Sequence, residues 1–411
     1  MRKTLKGKRV VILGAGFGGL FSANFLRKNL SDEHQIIVID KKDYFLMGFV
    51  NLWILNGNRN LEDSKIELSN LKNKNIVFLQ QEVININPHK KTIITDSIPS
   101  SSSSFTEAKQ NHQNHKIEYD YLIIALGVEY STEQINGLKN RAFNLYDAEQ
   151  IPKLRNEILS LKEGKIAICI TSLPYKCPPA PYEASLIVND ILIKNKTRAD
   201  IDIDVYTPSH IALPVAGPNV SRDVVTLLDK NNINFNPLYS LQSVSDTALE
   251  FKCDNHNTTE NIVYGLLIVI PHHTLPLVVK NSQFIYENNQ NWIKVDKFTL
   301  KTRFENVYAI GDVTEIKVNQ KVSIPKAGIF AEGQAKVVCQ QIIDDIKKQS
   351  NNPTFDGKGF CFMEIGDNKA GYIDTDFYNE KGPYTRLDLP SEESYKKKVD
   401  FEKKRVNEWL L

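Results

Sequence analysis

Two short stretches hold residues able to do chemistry. The first is Gly14-Ala15-Gly16-Phe17-Gly18-Gly19, with the spacing Gly-x-Gly-x-x-Gly between the apolar run VVIL and the stretch SANFLRKNL. In that spacing Gly14 permits a tight turn and Gly16 lets backbone approach a pyrophosphate. Gly19 lets the following helix lie close on the strand. The second stretch is TSLPYKCPPAPYEAS, residues 171–185, where Cys177 stands among four prolines between GKIAICI and ASLIVNDILIK. A second phosphate-cradling turn would need glycine here. Proline has no N–H to offer a phosphate.

The elements that position these residues follow from the apolar pattern. The strand QIIVID ends in Asp40, about twenty residues beyond the glycine turn, where an acid accepts hydrogen bonds from an adenosine ribose. Two further strand-like runs, EYDYLIIALG ending in Gly127 and FENVYAIGDV ending in Gly311-Asp312, return to the same nucleotide site. Asp312 then stands where a flavin's ribityl hydroxyls need a partner; an ordinary helix N-cap is its plainer reading. IPKAGIFAEGQA reads as a turn entering a helix. Its Lys326, Ala327 and Gly328 would set N–H groups and a cation against a reduced flavin's negative charge. A solvated turn lysine is the alternative for Lys326. GKIAICI and ADIDIDVYTP read as the first two strands of a second dinucleotide-like unit, one without a glycine loop.

With these segments the chain resembles the pyridine nucleotide–disulfide oxidoreductase superfamily. The resemblance implies an α/β protein with two Rossmann-like, three-layer dinucleotide-binding domains, the second inserted in the first. It places an FAD domain at 1–150 and 285–340 and the second, NAD-like domain at 151–284. A break near 341–358 sets off a small C-terminal domain, 341–411, read as a hairpin and a last helix.

A closer resemblance rests on PYKCPPAPYE, PVAGP, VIPHHTLP, YAIGD and IPKAG. These are similar to flavocytochrome c sulfide dehydrogenase flavin subunits and to sulfide:quinone oxidoreductase-like proteins. The resemblance implies that Cys177 sits beside the flavin and pairs with a second cysteine, best matched by Cys361 in GKGFCFMEIGDNKAGY, with Cys339 in reserve. A sulfide anion attacking such a disulfide gives a persulfide and a thiolate, and the flavin takes up two electrons. A purely structural bridge is the bland alternative. Cys169 and Cys253 read as strand residues without chemistry. Glu183 is either a proton-handling group or a favourable first-turn acid. His272 and His273, at a strand end that faces the flavin in the resembling proteins, are proton relays or hydrogen-bonded structural residues; His210 is a weaker candidate. The aromatic stretch 44–57 walls a pocket or fills a core.

Composition narrows the partners. Over 411 residues the formal net charge is +2, which gives no reason to expect nucleic acid. No apolar run reaches the ~18–20 residues that span a bilayer. The N-terminus reads as free of a signal peptide, so the expectation is a cytoplasmic protein. The helix-like segment 391–411 packs its apolar face on its own domain or lies peripherally on the inner face of a membrane. No cysteine precedes Cys169, so FAD is expected to be non-covalent without a cysteinyl link. There is no C-x-x-C-H for haem and no metal-spaced Cys/His cluster. The polar stretch 97–116 reads as a surface loop. The expected partners are a small sulfur donor and a quinone or other electron acceptor, and a homodimer is compatible. A type II NADH:quinone dehydrogenase, or a flavoprotein serving as redox sensor or binding partner, is the competing reading.

Overall fold

A computed structural model describes residues 7–98, 114–254, 257–287, 290–320 and 322–411. The core of the expected 97–116 loop, 99–113, lies outside the described residues. The first sheet has seven strands, in the order Val307–Ala309, Tyr121–Ile124, Arg9–Leu13, Gln35–Asp40, Val77–Asn87, Thr92–Ser97, His115–Glu118. The first five are parallel, and the last two add on as an antiparallel meander. Val10 to Leu13 are fully buried, as a parallel strand covered on both faces must be. The register sets Leu13 beside Ile39 and Ile124, so three strand ends open at one level around the glycine turn.

The second sheet is all parallel: Phe143–Asn144, Leu266–Ile270, Gly164–Ile170, Ile201–Thr207, Ile233–Pro237. Its edge strand comes from residues 143–144, upstream of the expected border at 151. The ribbon of Glu129–Ser131 with His272–Thr274 runs between the two sheets. Together they form two Rossmann-like layers. The chain leaves the first sheet after its sixth segment, builds the second, and returns to add Val307–Ala309. An antiparallel three-stranded sheet, Tyr239–Val244, Ala248–Cys253 and Thr258–Val263, extends the second unit.

The C-terminal region differs from the expected hairpin by one strand. Lys358–Gly366, Lys369–Asp376 and Tyr384–Leu387 form an antiparallel sheet, and the helix Glu392–Leu410 closes it. Ser391 caps that helix, accepting the Ser394 N–H at 3.1 Å. Trp409 and Leu410 are buried, Trp409 edge-on to Phe17 and Phe45. The helix therefore packs its apolar face on its own chain. Among the described residues no helix is long and apolar enough to cross a membrane.

Close packing at the glycine turn is a hard constraint. A Cβ on Gly19 would lie 1.8 Å from the Gly14 carbonyl oxygen, so the helix Phe17–Asn29 would have to move off its strand. Gly19→Ala is expected to destabilise the protein by about 1–3 kcal/mol, measured as a shift of the urea midpoint at constant m-value. An unchanged midpoint would refute this packing argument.

Candidate active site

The three strand ends and the glycine turn open onto one cavity of about 770 Å³, within the ~300–1,000 Å³ typical of ligand sites. Gly14, Gly16, Asp40, Gly127, Gly311, Asp312, Lys326, Ala327 and Gly328 all line it, with Cys177, Glu183 and Cys361. Gly19 packs behind the turn. A Cβ on Gly16 or Gly127 would meet nothing within 4 Å. Gly16 thus keeps space clear, while Gly127 also takes a positive φ of +67°. Asp40 accepts the N–H groups of Ala15 and Lys42 at 2.7 and 2.9 Å, which fixes its carboxylate at the rim.

The far wall is the turn before the helix Gly328–Lys347. Ala327, at the cap position, provides no side-chain acceptor, so the helix start faces the cavity without a side-chain cap. Lys326 is buried, not solvated. Its Nζ donates to the carbonyls of Asp312 and Thr314 at 2.6 and 2.9 Å and sits 3.4 Å from the Trp292 ring centroid. Burial lowers its pKa to about 8. Burial raises the Asp312 carboxyl, against the pull of Lys326 and Lys176.

One feature of the wall asks for a ligand. Asn51 is buried, and its Nδ2 donates to the Leu145 carbonyl at 3.1 Å, but its Oδ1 has no partner. An orphaned buried acceptor costs about 1–3 kcal/mol unless a bound group supplies a donor. With open glycines, a rim acid and a bare helix start, the donor set fits FAD, whose pyrophosphate, ribose and ring each need one of these partners. The sequence points to Asp40 and Asp312, but not to Asn51, whose role depends on a buried orphan that only the fold reveals. The aromatic stretch is both wall and core: Tyr44, Phe45 and Phe49 line the cavity, while Trp53 is buried.

The cysteine loop forms the remaining side. Cys177 has φ +50°, a conformation few non-glycine residues adopt and one that costs of order 1–3 kcal/mol. Its N–H donates to the Lys326 carbonyl at 2.7 Å and its carbonyl accepts from Ala180 at 2.8 Å. This pins the loop to the Lys326–Gly328 turn. Cys361 lies on the strand Lys358–Gly366, which packs on the helix Ala180–Lys194. Both cysteines line the one cavity, and hydrogen bonding to Cys361, together with burial, drives the Cys177 thiol well above its ordinary pKa. Both are free thiols. Cys339 is buried in the Gly328–Lys347 helix, its Sγ donating to the Ser22 carbonyl at 3.6 Å. Cys169 and Cys253 are buried in strands of the second unit.

Glu183 belongs to a buried charge cluster that the sequence does not reveal. Lys398 Nζ lies 3.1 Å from Glu183 Oε1 and 2.9 Å from Glu364 Oε2. The Glu364 N–H donates to Glu183 Oε1 at 2.9 Å, and Trp53 Nε1 donates to Glu364 Oε2 at 2.8 Å. Burial raises the Glu183 carboxyl, opposed by Lys398. Burial alone would pull the ammonium of Lys398 down, but the two carboxylates hold it above its usual value. Read as part of a lysine-rich polar face, Lys398 gives no sign of this role. Next to it Phe360, Phe362 and Phe401 form an aromatic mouth.

His273 does not line the cavity. Its Nε2 accepts the Lys176 N–H at 3.2 Å and its Nδ1 faces the Pro271 carbonyl at 2.8 Å. Burial lowers its pKa to about 3, so it is neutral with both nitrogens committed. His273 holds the cysteine loop in place and has no free nitrogen with which to move a proton. His272 bonds Ser172 Oγ at 2.9 Å, and His210 is exposed. Among the described residues no group of His, Cys, Asp and Glu could hold a metal.

In the second unit the phosphate position is closed. Pro179 caps the helix Ala180–Lys194 and Pro181 stands in its first turn, which removes two N–H donors. Tyr182 is fully buried there, its hydroxyl accepting the Leu213 N–H at 3.1 Å.

Residues 8–169 match the family described as pyridine nucleotide-disulphide oxidoreductase. Residues 152–205 match the central region of the sulfide dehydrogenase (flavocytochrome c) flavoprotein chain. The chain is 26% identical over 383 residues to the sulfide-quinone reductase of Aquifex aeolicus, covering 90% of this chain and 84% of that one. It is 23% identical over 371 residues to the mitochondrial sulfide:quinone oxidoreductase of Dictyostelium discoideum, covering 88% and 76%. The crystal structure of the sulfide:quinone oxidoreductase of Aquifex aeolicus superposes with a TM-score of 0.84 over 98% of this chain and 92% of that one, at 23% identity. That superposition shows the fold.

Two outcomes follow from the cavity walls. Gly16→Val should lower FAD retention by tenfold or more, read by flavin fluorescence after gel filtration, because the side chain enters cleared space. Retention equal to wild type would refute that position for the pyrophosphate. Lys398→Met leaves two buried carboxylates unpaired and should cost about 3–5 kcal/mol, read by chemical denaturation. Adding Glu183→Gln and Glu364→Gln should recover much of that loss, and a triple variant no better than Lys398→Met would sink the charge-pairing account.

Proposed function

We propose that this chain, an FAD-dependent oxidoreductase of the pyridine nucleotide–disulfide oxidoreductase superfamily, oxidises sulfide through Cys177 and Cys361 and passes the electrons to a quinone. The observation that carries this reading is that two cysteines remote from each other in the sequence, Cys177 and Cys361, stand together on the wall of one cavity. The similarity to proteins named sulfide:quinone oxidoreductases supports the donor and the acceptor.

In the oxidised state a hydrosulfide anion attacks one sulfur of the Cys177–Cys361 disulfide. One S–S bond breaks and another forms, giving a persulfide on one cysteine and a thiolate on the other. A second nucleophile removes the outer sulfur atom and leaves the dithiol pair. Closing the disulfide again releases two electrons and up to two protons. Bound FAD supplies the two-electron acceptor for that closure and the donor for the quinone. Glu183, raised by burial and facing Cys177, takes up a released proton. Lys326 and the start of the Gly328–Lys347 helix hold positive potential against the charge that reduction brings.

The quinone reading rests on the aromatic mouth. Phe360, Phe362 and Phe401 offer flat apolar surface lining the cavity. Exposed Lys396, Lys397, Lys403 and Lys404 on the last helix suit peripheral contact with an anionic membrane surface, where a quinone is found. FAD is held without a cysteinyl bond, since the first cysteine of the chain is Cys169.

Anaerobic titration of the FAD-loaded protein tests the proposal. Sulfide should bleach the flavin absorbance in wild type and fail to do so in Cys177→Ser, by at least a hundredfold in rate. NADH should leave the flavin oxidised, because the second unit has no phosphate cradle. Bleaching by NADH, or sulfide bleaching that survives in Cys177→Ser, would overturn this function.

A further inference from the structure

The cavity wall around Cys177 carries charges of both signs, and Lys398 acts on the thiol against Glu183. Glu183 faces the thiol and raises its pKa, and Glu364 and Asp312 lie close by. An anionic nucleophile approaching Cys177 needs a cation to meet it. Most lysines of the cavity are already committed. Lys398 is held between two carboxylates, Lys326 donates to two carbonyls, and Lys41 pairs with Glu129 at 3.6 Å. Lys42 lies at the Asp40 rim over the Tyr44 ring.

Lys176, like Lys42 and Lys326, forms no ion pair among the described residues, and of these three it is the one next to Cys177 in the chain. Its Nζ lies 5.1 Å from the Tyr130 ring centroid and 5.0 Å from that of Tyr146. The two rings are stacked at 5.6 Å. Aromatic faces hold a cation in place without neutralising it as a carboxylate would. The backbone of Lys176 is fixed as well. Its N–H donates to His273 Nε2 at 3.2 Å, and its carbonyl accepts the Tyr146 hydroxyl at 2.6 Å. The next residue is Cys177, and Lys176 lines the same cavity. Burial pulls the Lys176 ammonium down, but Tyr130, which also hydrogen-bonds it, and then Asp312 keep it protonated above its usual value.

We propose that the caged ammonium of Lys176 is an anion subsite that draws the sulfur nucleophile, as hydrosulfide or a short anionic polysulfide, onto Cys177. This rests on the sulfide reading above for the identity of the anion, but the subsite itself does not. His273 and Tyr146 are its positioning residues. They fix the backbone from which the cation projects.

The test reads charge at Cys177 directly. FAD-loaded, reduced protein is alkylated with iodoacetate, an anion, and separately with iodoacetamide, its neutral analogue. Modification of Cys177 is followed by peptide mass spectrometry in wild type, Lys176→Met and Lys176→Arg. The expected result is a fall of about fivefold or more in the iodoacetate-to-iodoacetamide rate ratio in Lys176→Met, with the ratio restored in Lys176→Arg. Added salt should lower the wild-type ratio and leave the Lys176→Met ratio flat. An equal ratio in wild type and Lys176→Met overturns the subsite, even if both rates change, because that pattern marks a structural effect. A Cys177 that neither reagent reaches in wild type also overturns it, since an anionic nucleophile would be excluded too. If sulfide fails to bleach the wild-type flavin while the ratio still depends on Lys176, the sulfide reading falls and the anion subsite stands.

Discussion

The site depends on holding Cys177 in a left-handed backbone conformation against Cys361. Neither residue is near the other in sequence, and the conformation is itself unfavourable. Three interactions impose it: the Lys326 carbonyl on the Cys177 N–H, the His273 ring on the Lys176 N–H, and the Ala180 N–H on the Cys177 carbonyl. Each comes from a different part of the chain. The loop is thus shaped by its neighbours, and the helix Ala180–Lys194 carries it to the strand that bears Cys361.

The buried Glu183–Lys398–Glu364 cluster locks that approach. It joins the helix Ala180–Lys194, the strand Lys358–Gly366 and the last helix, and through Trp53 it reaches the helix Val50–Asn56. A buried ion cluster is a poor source of stability compared with apolar packing. Its value here is geometric, because it ties the C-terminal sheet and the last helix to the helix that follows the cysteine loop. One net negative charge remains among three groups. A proton entering or leaving this cluster would therefore be felt at the adjacent thiols.

Much of the first unit is legible in the sequence because local backbone rules govern it. A glycine turn, an acid at the next strand end and a Gly-Asp pair at a later one are local signals, and their residues line one cavity. The C-terminal half is less legible. Lys398 sits in a run of lysines and nothing in its neighbours marks it as buried. Asn51 lies within an apolar helix, and that its amide bonds Leu145 while its oxygen is unpaired is visible only in the fold. His273 looks like a proton carrier until both nitrogens are seen to be occupied. In each case the deciding partner is remote in the chain, so no window of sequence contains it.

The second unit sets a proline-rich cysteine loop where a glycine-rich phosphate loop would stand. Its five parallel strands keep the layout that elsewhere cradles a dinucleotide, and the helix after Gly164–Ile170 starts in the usual place. Proline at the cap and in the first turn removes the phosphate donors, and Tyr182 fills the space behind them. The same prolines stiffen the segment that follows Cys177. A glycine loop at this point would be too free to hold a residue at positive φ against a partner thiol. The absence of phosphate donors at this helix start and the stiffness of the cysteine loop thus have one cause, the prolines.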